Sequence, residues 1–217
     1  MENKIILGID TSTDNCSVGL LKNNSIIAER SEVAKSAHSE KLILFIREIL
    51  AEAGLNVKVL SGIGVNIGPG SFTGLRIGLS TAKGLAFPHN IPILPVKSLP
   101  VMIQANDLQP DILYFIKSHK NMVFYHYFKN TDEDLTAIEI AYDDITKIIE
   151  QYSDKEILGN FDFIENFGKH NTVLFPNGKA VAELVNKNFE KLKSETGPDI
   201  EPYYLTSFLA QKWSGDK

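Results

Sequence analysis

The chain has 217 residues, 43% of them hydrophobic and 23% charged, which is ordinary globular composition and argues against a disordered or coiled-coil protein. No apolar run reaches the roughly 18 residues of a membrane span and the amino terminus lacks a signal-peptide layout, so we expect a cytoplasmic protein with no membrane contact. The net charge of −5 divides into +2 for residues 1–105 and −7 for residues 106–217, and so acidic a second half argues against a broad nucleic-acid-binding surface.

Three strands are predicted at the start of the chain, over residues 5–9, 17–22 and 26–32. Asn23 and Asn24 supply a hairpin turn between the second and the third. The first two are joined by Asp-Thr-Ser-Thr-Asp at 10–14, a run of short side chains that hydrogen-bond their own backbone and favour turns. A plain turn and the first loop of a ligand site explain this run equally well.

The next elements are a helix over 38–53 that Gly54 ends, a strand over 62–67 and a second helix over 72–87. The first helix carries a core-facing apolar stripe, and Leu44 points the other way. Gly68, Pro69, Gly70 and Ser71 form the turn before the second helix, with Ser71 as its N-cap.

The remaining chain alternates strands and helices. We expect strands at 91–96, 111–116, 122–129, 135–140, 156–159 and 172–175, and helices at 98–106, 143–152 and 179–193, with Pro100 breaking the first of these. An amphipathic piece is expected at 204–213. The expected order of strands and helices mixes antiparallel and parallel strand pairing, and it occurs twice along the chain. It predicts two related α/β lobes, residues 1–105 and a smaller, divergent lobe over 106–217. We expect the C-terminal segment of the second lobe to pack back on the first.

The second helix is unusually rich in glycine, which costs about 1 kcal/mol per interior position relative to alanine. Its sequence does not match a phosphate-binding P-loop, because Leu75 stands where that motif needs lysine. The stripe facing the sheet is Phe72, Leu75, Leu79, Ala82 and Ala86, and the second stripe is Gly74, Ile77, Gly78, Thr81 and Leu85. The second stripe fits either close packing inside the lobe or a docking surface for another protein, and Leu44 favours docking.

The motifs ILGIDTSTDNCSVGLL, AHSE at 37–40, GPGSFTGLRIGLSTAKGLA and PYYL at 202–205 resemble the bacterial TsaB (YeaZ) family of tRNA threonylcarbamoyladenosine biosynthesis. The resemblance implies an actin-like ASKHA (ribonuclease H-like) fold with two lobes. It also implies a non-catalytic partner of TsaD, the enzyme that transfers a threonylcarbamoyl group to N6 of adenosine 37 in tRNAs reading ANN codons.

Further partners follow from the same resemblance. TsaE, an ATPase, is the third protein of the complex, tRNA is reached only indirectly, and the chain forms a homodimer when TsaD is absent. We expect no cofactor of its own, with ATP or ADP only at the junction with TsaD. The residues expected at the partner interface are His38, Leu42, Leu44, Phe45, Gly74, Arg76, Ile77, Gly78, Thr81 and Leu85.

Two enzymatic alternatives remain. An autonomous ASKHA-type ATPase or small-molecule kinase would use Asp10, with Thr11 and Ser12, as a nucleotide loop, which the resemblance makes vestigial. A metallopeptidase would need a metal-binding pair of histidines four residues apart, and no two histidines of the chain have that spacing. We therefore expect no catalytic residue and no metal ligand.

Overall fold

The computed structural model describes residues 4–33, 38–161, 172–196 and 199–204. Its strands are β1 (Ile5–Asp10), β2 (Asn15–Lys22), β3 (Ser25–Val33), β4 (Gly62–Asn66), β5 (Ile93–Val96), β6 (Ile112–Lys117), β7 (Met122–Phe128), β8 (Ala141–Asp144), β9 (Glu156–Gly159) and β10 (Thr172–Val173). Its α-helices are α1 (His38–Glu52), α2 (Phe72–Ala86), α3 (Ser98–Ala105), α4 (Ile145–Gln151), α5 (Gly178–Lys187) and α6 (Phe189–Glu195). The predicted α/β class is confirmed.

The first sheet has five strands in the order β3-β2-β1-β4-β5. β1, β2 and β3 pair antiparallel as consecutive hairpins, whereas β4 and β5 run parallel to β1. Asn23 and Asn24 have positive φ, 53° and 66°, the backbone that a tight two-residue hairpin turn requires. The predicted hairpin is confirmed, and the mixed pairing places the ends of β1 and β4 side by side.

The second sheet repeats this arrangement, in the order β10-β9-β6-β7-β8. β6, β7 and β8 pair antiparallel, and β9 runs parallel to β6. The strand predicted at 135–140 is wrong, because the third strand here is β8, at Ala141–Asp144. Leu135, Ile138 and Ile140 are buried in the core between the sheets without joining the ladder, so their apolar spacing reflects burial and not strand pairing.

Helices and sheets alternate in layers. One core lies between the first sheet and α1 with α2, a second lies between the two sheets around α3 and α5, and a third lies between the second sheet and α4. The N-terminus of α5 is tied to the first sheet, since Gly178 N–H donates to Ser17 Oγ at 3.0 Å. A helix from the C-terminal part of the chain therefore packs against the N-terminal sheet, while the lobe boundary at residue 105 stays a prediction.

Two expectations about helices were wrong. Pro100 does not break α3, because it lies in the first turn, where a proline leaves no hydrogen bond unmade. The helix expected at 179–193 is two helices that meet at Asn188, whose side-chain amide donates to the carbonyl oxygen of Leu184 at 3.0 Å. No helix in the described ranges is long and apolar enough to cross a bilayer. The amphipathic segment predicted at 204–213 falls, beyond Tyr204, outside the described residues.

Candidate functional site

The carboxyl ends of β1 and β4 meet at one edge of the first sheet. These strands pair in parallel, with Ile9 opposite Val65, so Asp10 and Asn66 end them side by side. In open α/β sheets, ligands bind outside the carboxyl ends of the strands. The predicted loop that begins at Asp10 therefore lies where such a fold places its chemistry.

Asp10 is held by a closed set of neutral donors. The Ser12 backbone N–H donates to Asp10 Oδ1 at 3.1 Å, and the Ser12 hydroxyl donates to the same carboxylate. Asn66 Nδ2 donates to Asp10 Oδ2. The Asn66 amide is in turn fixed, because its Oδ1 accepts from Gly68 N–H at 3.0 Å and from the Ser98 hydroxyl at 2.8 Å. Every donor that surrounds the carboxylate is itself oriented by the fold.

Burial raises the pKa of Asp10 from 3.8 to about 6, although the hydrogen bonds from Asn66 and Ser12 act in the opposite direction. Desolvation outweighs those bonds because none of the donors carries a charge. No positively charged side chain of the described residues contributes to the pKa of Asp10. The carboxylate is completely buried, so it has the environment of a structural group and no open face toward solvent.

Helix α2 closes over this loop through Gly74 and Gly78. The Thr11 hydroxyl donates to the carbonyl oxygen of Gly74 at 2.7 Å, and Ser71 N–H donates to the carbonyl oxygen of Ser12 at 2.7 Å. A methyl group on Gly74 would lie 2.0 Å from the Thr11 carbonyl oxygen, and one on Gly78 would lie 2.4 Å from Thr11 Oγ1. The prediction that these two glycines face a partner is wrong, because they admit the chain's own loop.

A polar cleft of about 260 Å³ lies next to the loop, between the lobes. Its lining is Ser12, Thr13, Asp14, Gly70 and Ser71 from the first lobe, and Lys117, Ser118 and Asn160 from the second. Asp10 and Thr11 do not line it. Of the predicted nucleotide-loop residues, only Ser12 borders the cleft, and it is already bonded to Asp10.

The described residues hold no group of three or more His, Cys, Asp or Glu side chains able to bind a metal ion. His38 is buried at the start of α1. His126 lies in the second sheet, where its Nε2 is 2.9 Å from Glu133 Oε2. Cys16 is buried in β2, and burial raises the pKa of its thiol to about 11, so it is a core residue.

The other predicted interface residues differ in exposure. His38, Leu42 and Phe45 are buried, with Leu42 and Phe45 only 1% and 8% exposed inside the core beneath α1. Arg76 is exposed, and Leu44, Ile77, Thr81 and Leu85 are half-buried. The prediction of a surface role is therefore wrong for the buried three, since their apolar spacing marks the side of α1 that packs on the sheet.

The predicted interface leaves out two exposed apolar residues, one on α1 and one directly after α2. Ile43 of α1 is 54% exposed, and Phe87, which follows α2 in a short 3₁₀ turn, is 86% exposed. Ile43 is next to Leu44 and lies off the core stripe, a signal that the sequence contains. Phe87 carries no such signal, because the periodicity that places it at the end of α2 does not say that the chain turns away from the sheet there.

From the exposed or half-buried residues of α1, α2 and the turn after α2, we choose a set that we call the outer face. It consists of the apolar residues Ile43, Leu44, Ile77, Leu85 and Phe87 and the basic residues Arg47, Arg76 and Lys83. Gly84 also belongs to it, and a methyl group there would meet no atom of the residues that the structure describes within 4 Å. None of these residues lines the cleft.

Comparison with known proteins matches nearly the whole chain. A family model described as TsaD, tRNA N6-adenosine threonylcarbamoyltransferase, matches residues 25–205. The chain is 26% identical to the tRNA threonylcarbamoyladenosine biosynthesis protein TsaB of Haemophilus influenzae, over 98% of both chains. It is 32% identical to the protein of that name from Buchnera aphidicola subsp. Acyrthosiphon pisum, over 86% of this chain and 92% of that one.

A solved structure supports the same fold. A Pseudomonas aeruginosa protein described as similar to peptidase YEAZ superposes with a TM-score of 0.76 at 25% identity, over 94% of this chain and 100% of that one. By contrast, a Streptococcus sanguinis transferase that is 30% identical over 69% of this chain is matched over only 52% of its own length. The predicted two-lobed, actin-like ASKHA fold is confirmed.

Proposed function

The chain belongs to the TsaB (YeaZ) family, and from this premise we propose that it serves threonylcarbamoyladenosine biosynthesis in tRNA as a non-catalytic partner and activator of TsaD. It docks on TsaD through the outer face. In the absence of TsaD, the same face pairs with a second copy of the chain. TsaE joins as a third protein, and tRNA is reached through the assembled complex.

The observation that carries this proposal is the exposure of two large apolar side chains, Ile43 of α1 at 54% and Phe87 of the turn after α2 at 86%. Exposed apolar surface is a common mark of an interaction site. Gly84 supports it, since an exposed helical glycine costs about 1 kcal/mol relative to alanine and no atom of the described residues lies within 4 Å of its missing side chain. A close neighbour from outside the chain accounts for both features.

The chemistry around Asp10 supports a non-catalytic role. A general base or a metal-binding carboxylate must reach a substrate or an ion, whereas Asp10 is fully buried and saturated by Ser12 and Asn66. Neither Asp10 nor Thr11 borders the cleft. Any ATP or ADP in the complex is therefore expected at the junction with TsaD and not inside this chain.

One observation favours a second candidate, an autonomous ATPase or small-molecule kinase. Strongly perturbed pKa values cluster at catalytic sites, and the pKa of Asp10 is raised to about 6. This candidate predicts nucleotide turnover by the purified chain that Asp10→Ala abolishes. The proposed role predicts no turnover by the chain alone, with or without the substitution.

The test is association with TsaD of the same source, measured by co-purification and by isothermal titration calorimetry. We expect a stoichiometric complex that Ile43→Glu weakens by roughly 10-fold or more, because a charge would be buried in an apolar interface. Ile27→Glu is the matched control, since Ile27 is 40% exposed but lies on β3. Equal loss in both variants, or no complex with the unaltered chain, would refute docking through the outer face.

A further inference from the structure

The described chain ends in a segment that lies along α2, and we call Ile200–Tyr204 the C-terminal strap. Lys83 Nζ donates to the carbonyl oxygen of Ile200 at 2.8 Å, near the end of α2, and Arg76 Nε donates to the Tyr204 hydroxyl at 3.2 Å, near its start. Tyr203 N–H donates to the carbonyl oxygen of Ile67 at 2.8 Å. The strap therefore runs antiparallel to α2 and is fixed to it at both ends.

The strap and α2 together hold the side chain of Arg76. Its guanidinium lies 3.8 Å from the centre of the Phe72 ring. The Phe72 ring is 5.2 Å from the Tyr204 ring, with 30° between their planes. Arg76 is thus held by a cation–π contact on one side and by the Tyr204 hydroxyl at Nε, although the residue is exposed. An arginine held in one conformation loses less entropy when it forms an ion pair than a free one does.

Arg76 has no carboxylate partner among residues 4–33, 38–161, 172–196 and 199–204, and the same holds for Arg47 and Lys83. The contrast is Arg30 of β3, which pairs with Glu48 and Glu52 of α1 at 3.3 and 2.7 Å. The two carboxylates near the C-terminal end of α1 are therefore paired with an arginine of β3. The outer face therefore offers unpaired cations among apolar residues.

This charge pattern fits a protein partner with acidic side chains. A guanidinium fork suits a carboxylate in bidentate geometry, and apolar neighbours such as Ile77 and Phe87 suit a desolvated protein contact. A surface that binds RNA needs many clustered basic side chains, whereas the outer face offers three, Arg47, Arg76 and Lys83, beside apolar residues. The complementarity favours a carboxylate over a phosphate.

We propose that the C-terminal strap is part of the docking surface: Tyr204 and Phe72 hold Arg76 in position to pair with a carboxylate of TsaD. The inference rests on the proposed function, because it takes TsaD as the partner. Arg76 determines specificity, and Tyr204 is a positioning residue that acts through it. Residues 200–204 thereby contribute to recognition by the N-terminal lobe.

The test measures the affinity of the full chain for TsaD at about 0.05 M and about 0.5 M salt. Arg76→Gln should weaken binding roughly 10-fold or more at low salt and reduce the salt dependence. Tyr204→Phe, which keeps the ring and removes the hydroxyl, should weaken it about 3-fold. In the double variant the loss should equal that of Arg76→Gln alone, since Tyr204 acts only through Arg76. If Arg76 and Tyr204 only supported the fold, Arg76→Gln would leave the salt dependence of binding unchanged, and the losses of the two single variants would add in the double variant.

Tyr203→Phe is the matched control, because the Tyr203 ring lies under Lys97 at 4.9 Å and packs against the core between the sheets. Wild-type affinity for both Arg76→Gln and Tyr204→Phe overturns the inference and leaves the proposed function standing. No binding by the unaltered chain overturns both. If labelled tRNA alone binds the chain and Arg76→Gln abolishes that binding, the arginine reads phosphate, and the carboxylate assignment is refuted.

Discussion

Gly74 and Gly84 lie in the same helix, yet their surroundings are opposite. A methyl group on Gly74 would lie 2.0 Å from the Thr11 carbonyl oxygen, whereas one on Gly84 would meet no atom of the described residues within 4 Å. Gly74 is required by the chain's own packing, and nothing in the described part of the chain requires Gly84. Glycines of one helix can therefore serve different purposes, and only the three-dimensional neighbours separate the inner side of α2 from the outer face.

The largest expected effect comes from adding a methyl group on the inner side. Gly74→Ala should lower the free energy of unfolding by about 3 kcal/mol, because the Thr11 backbone must move to admit the new atom. For a chain of this size that corresponds to a fall of roughly 6–12 °C in Tm, measured by thermal denaturation followed by circular dichroism. An unchanged Tm would show that the loop at Asp10–Thr13 is loose, and that α2 does not pack on it as described.

The second prediction concerns the pH dependence that Asp10 adds to the inner side. The pKa of Asp10 is raised from 3.8 to about 6 in the folded chain, so the folded state binds the proton more tightly than the unfolded state. The contribution to stability is present below about pH 3.8 and is lost as the pH rises through about 6. A shift of about two pKa units corresponds to roughly 3 kcal/mol.

The measurement compares urea unfolding of the wild-type chain and Asp10→Asn across that pH range. The stability of the wild type relative to the variant should fall between about pH 4 and pH 6.5 and level off above it. The amide that Asp10→Asn places opposite Asn66 lowers stability by the same amount at every pH. This loss does not affect the result, because only the change of the stability difference with pH is compared. A difference that rises with pH would mean that a cation stabilises the carboxylate.

Much of the first sheet and its helices could be predicted from sequence, because local signals determine them. The hairpin at Asn23–Asn24, the Ser71 N-cap and the apolar stripe that ends at Ala86 all act within a few residues, and all are present. The strand predicted at 135–140 was wrong because residues that are buried between two sheets can show the same alternation of apolar and polar positions as a strand. A short sequence pattern therefore predicts a helix or strand well where contacts between residues close in the chain form it.

The candidate site could be predicted only in part, because its neighbours are distant in the chain. Thr11 and Gly74 are 63 positions apart, and Arg76 and Tyr204 are 128 apart. Helical periodicity grouped Gly74 and Gly78 with half-buried residues of α2, and it contains no information on which of these residues meet Thr11. The position of the strap beside Arg76 likewise depends on the whole fold, so no local motif could reveal it.

The smallest predicted effect is on the outer side of the helix and has the opposite sign. Gly84→Ala should raise the free energy of unfolding by about 0.7 kcal/mol, because alanine restricts the unfolded chain and adds no clash in a helix. The Tm should rise by roughly 2 °C, measured at a protein concentration where the chain is monomeric, so that a second copy cannot affect the result. A lower Tm would mean that a methyl group at this position does meet part of the chain, and the contrast between Gly74 and Gly84 would no longer separate internal packing from docking.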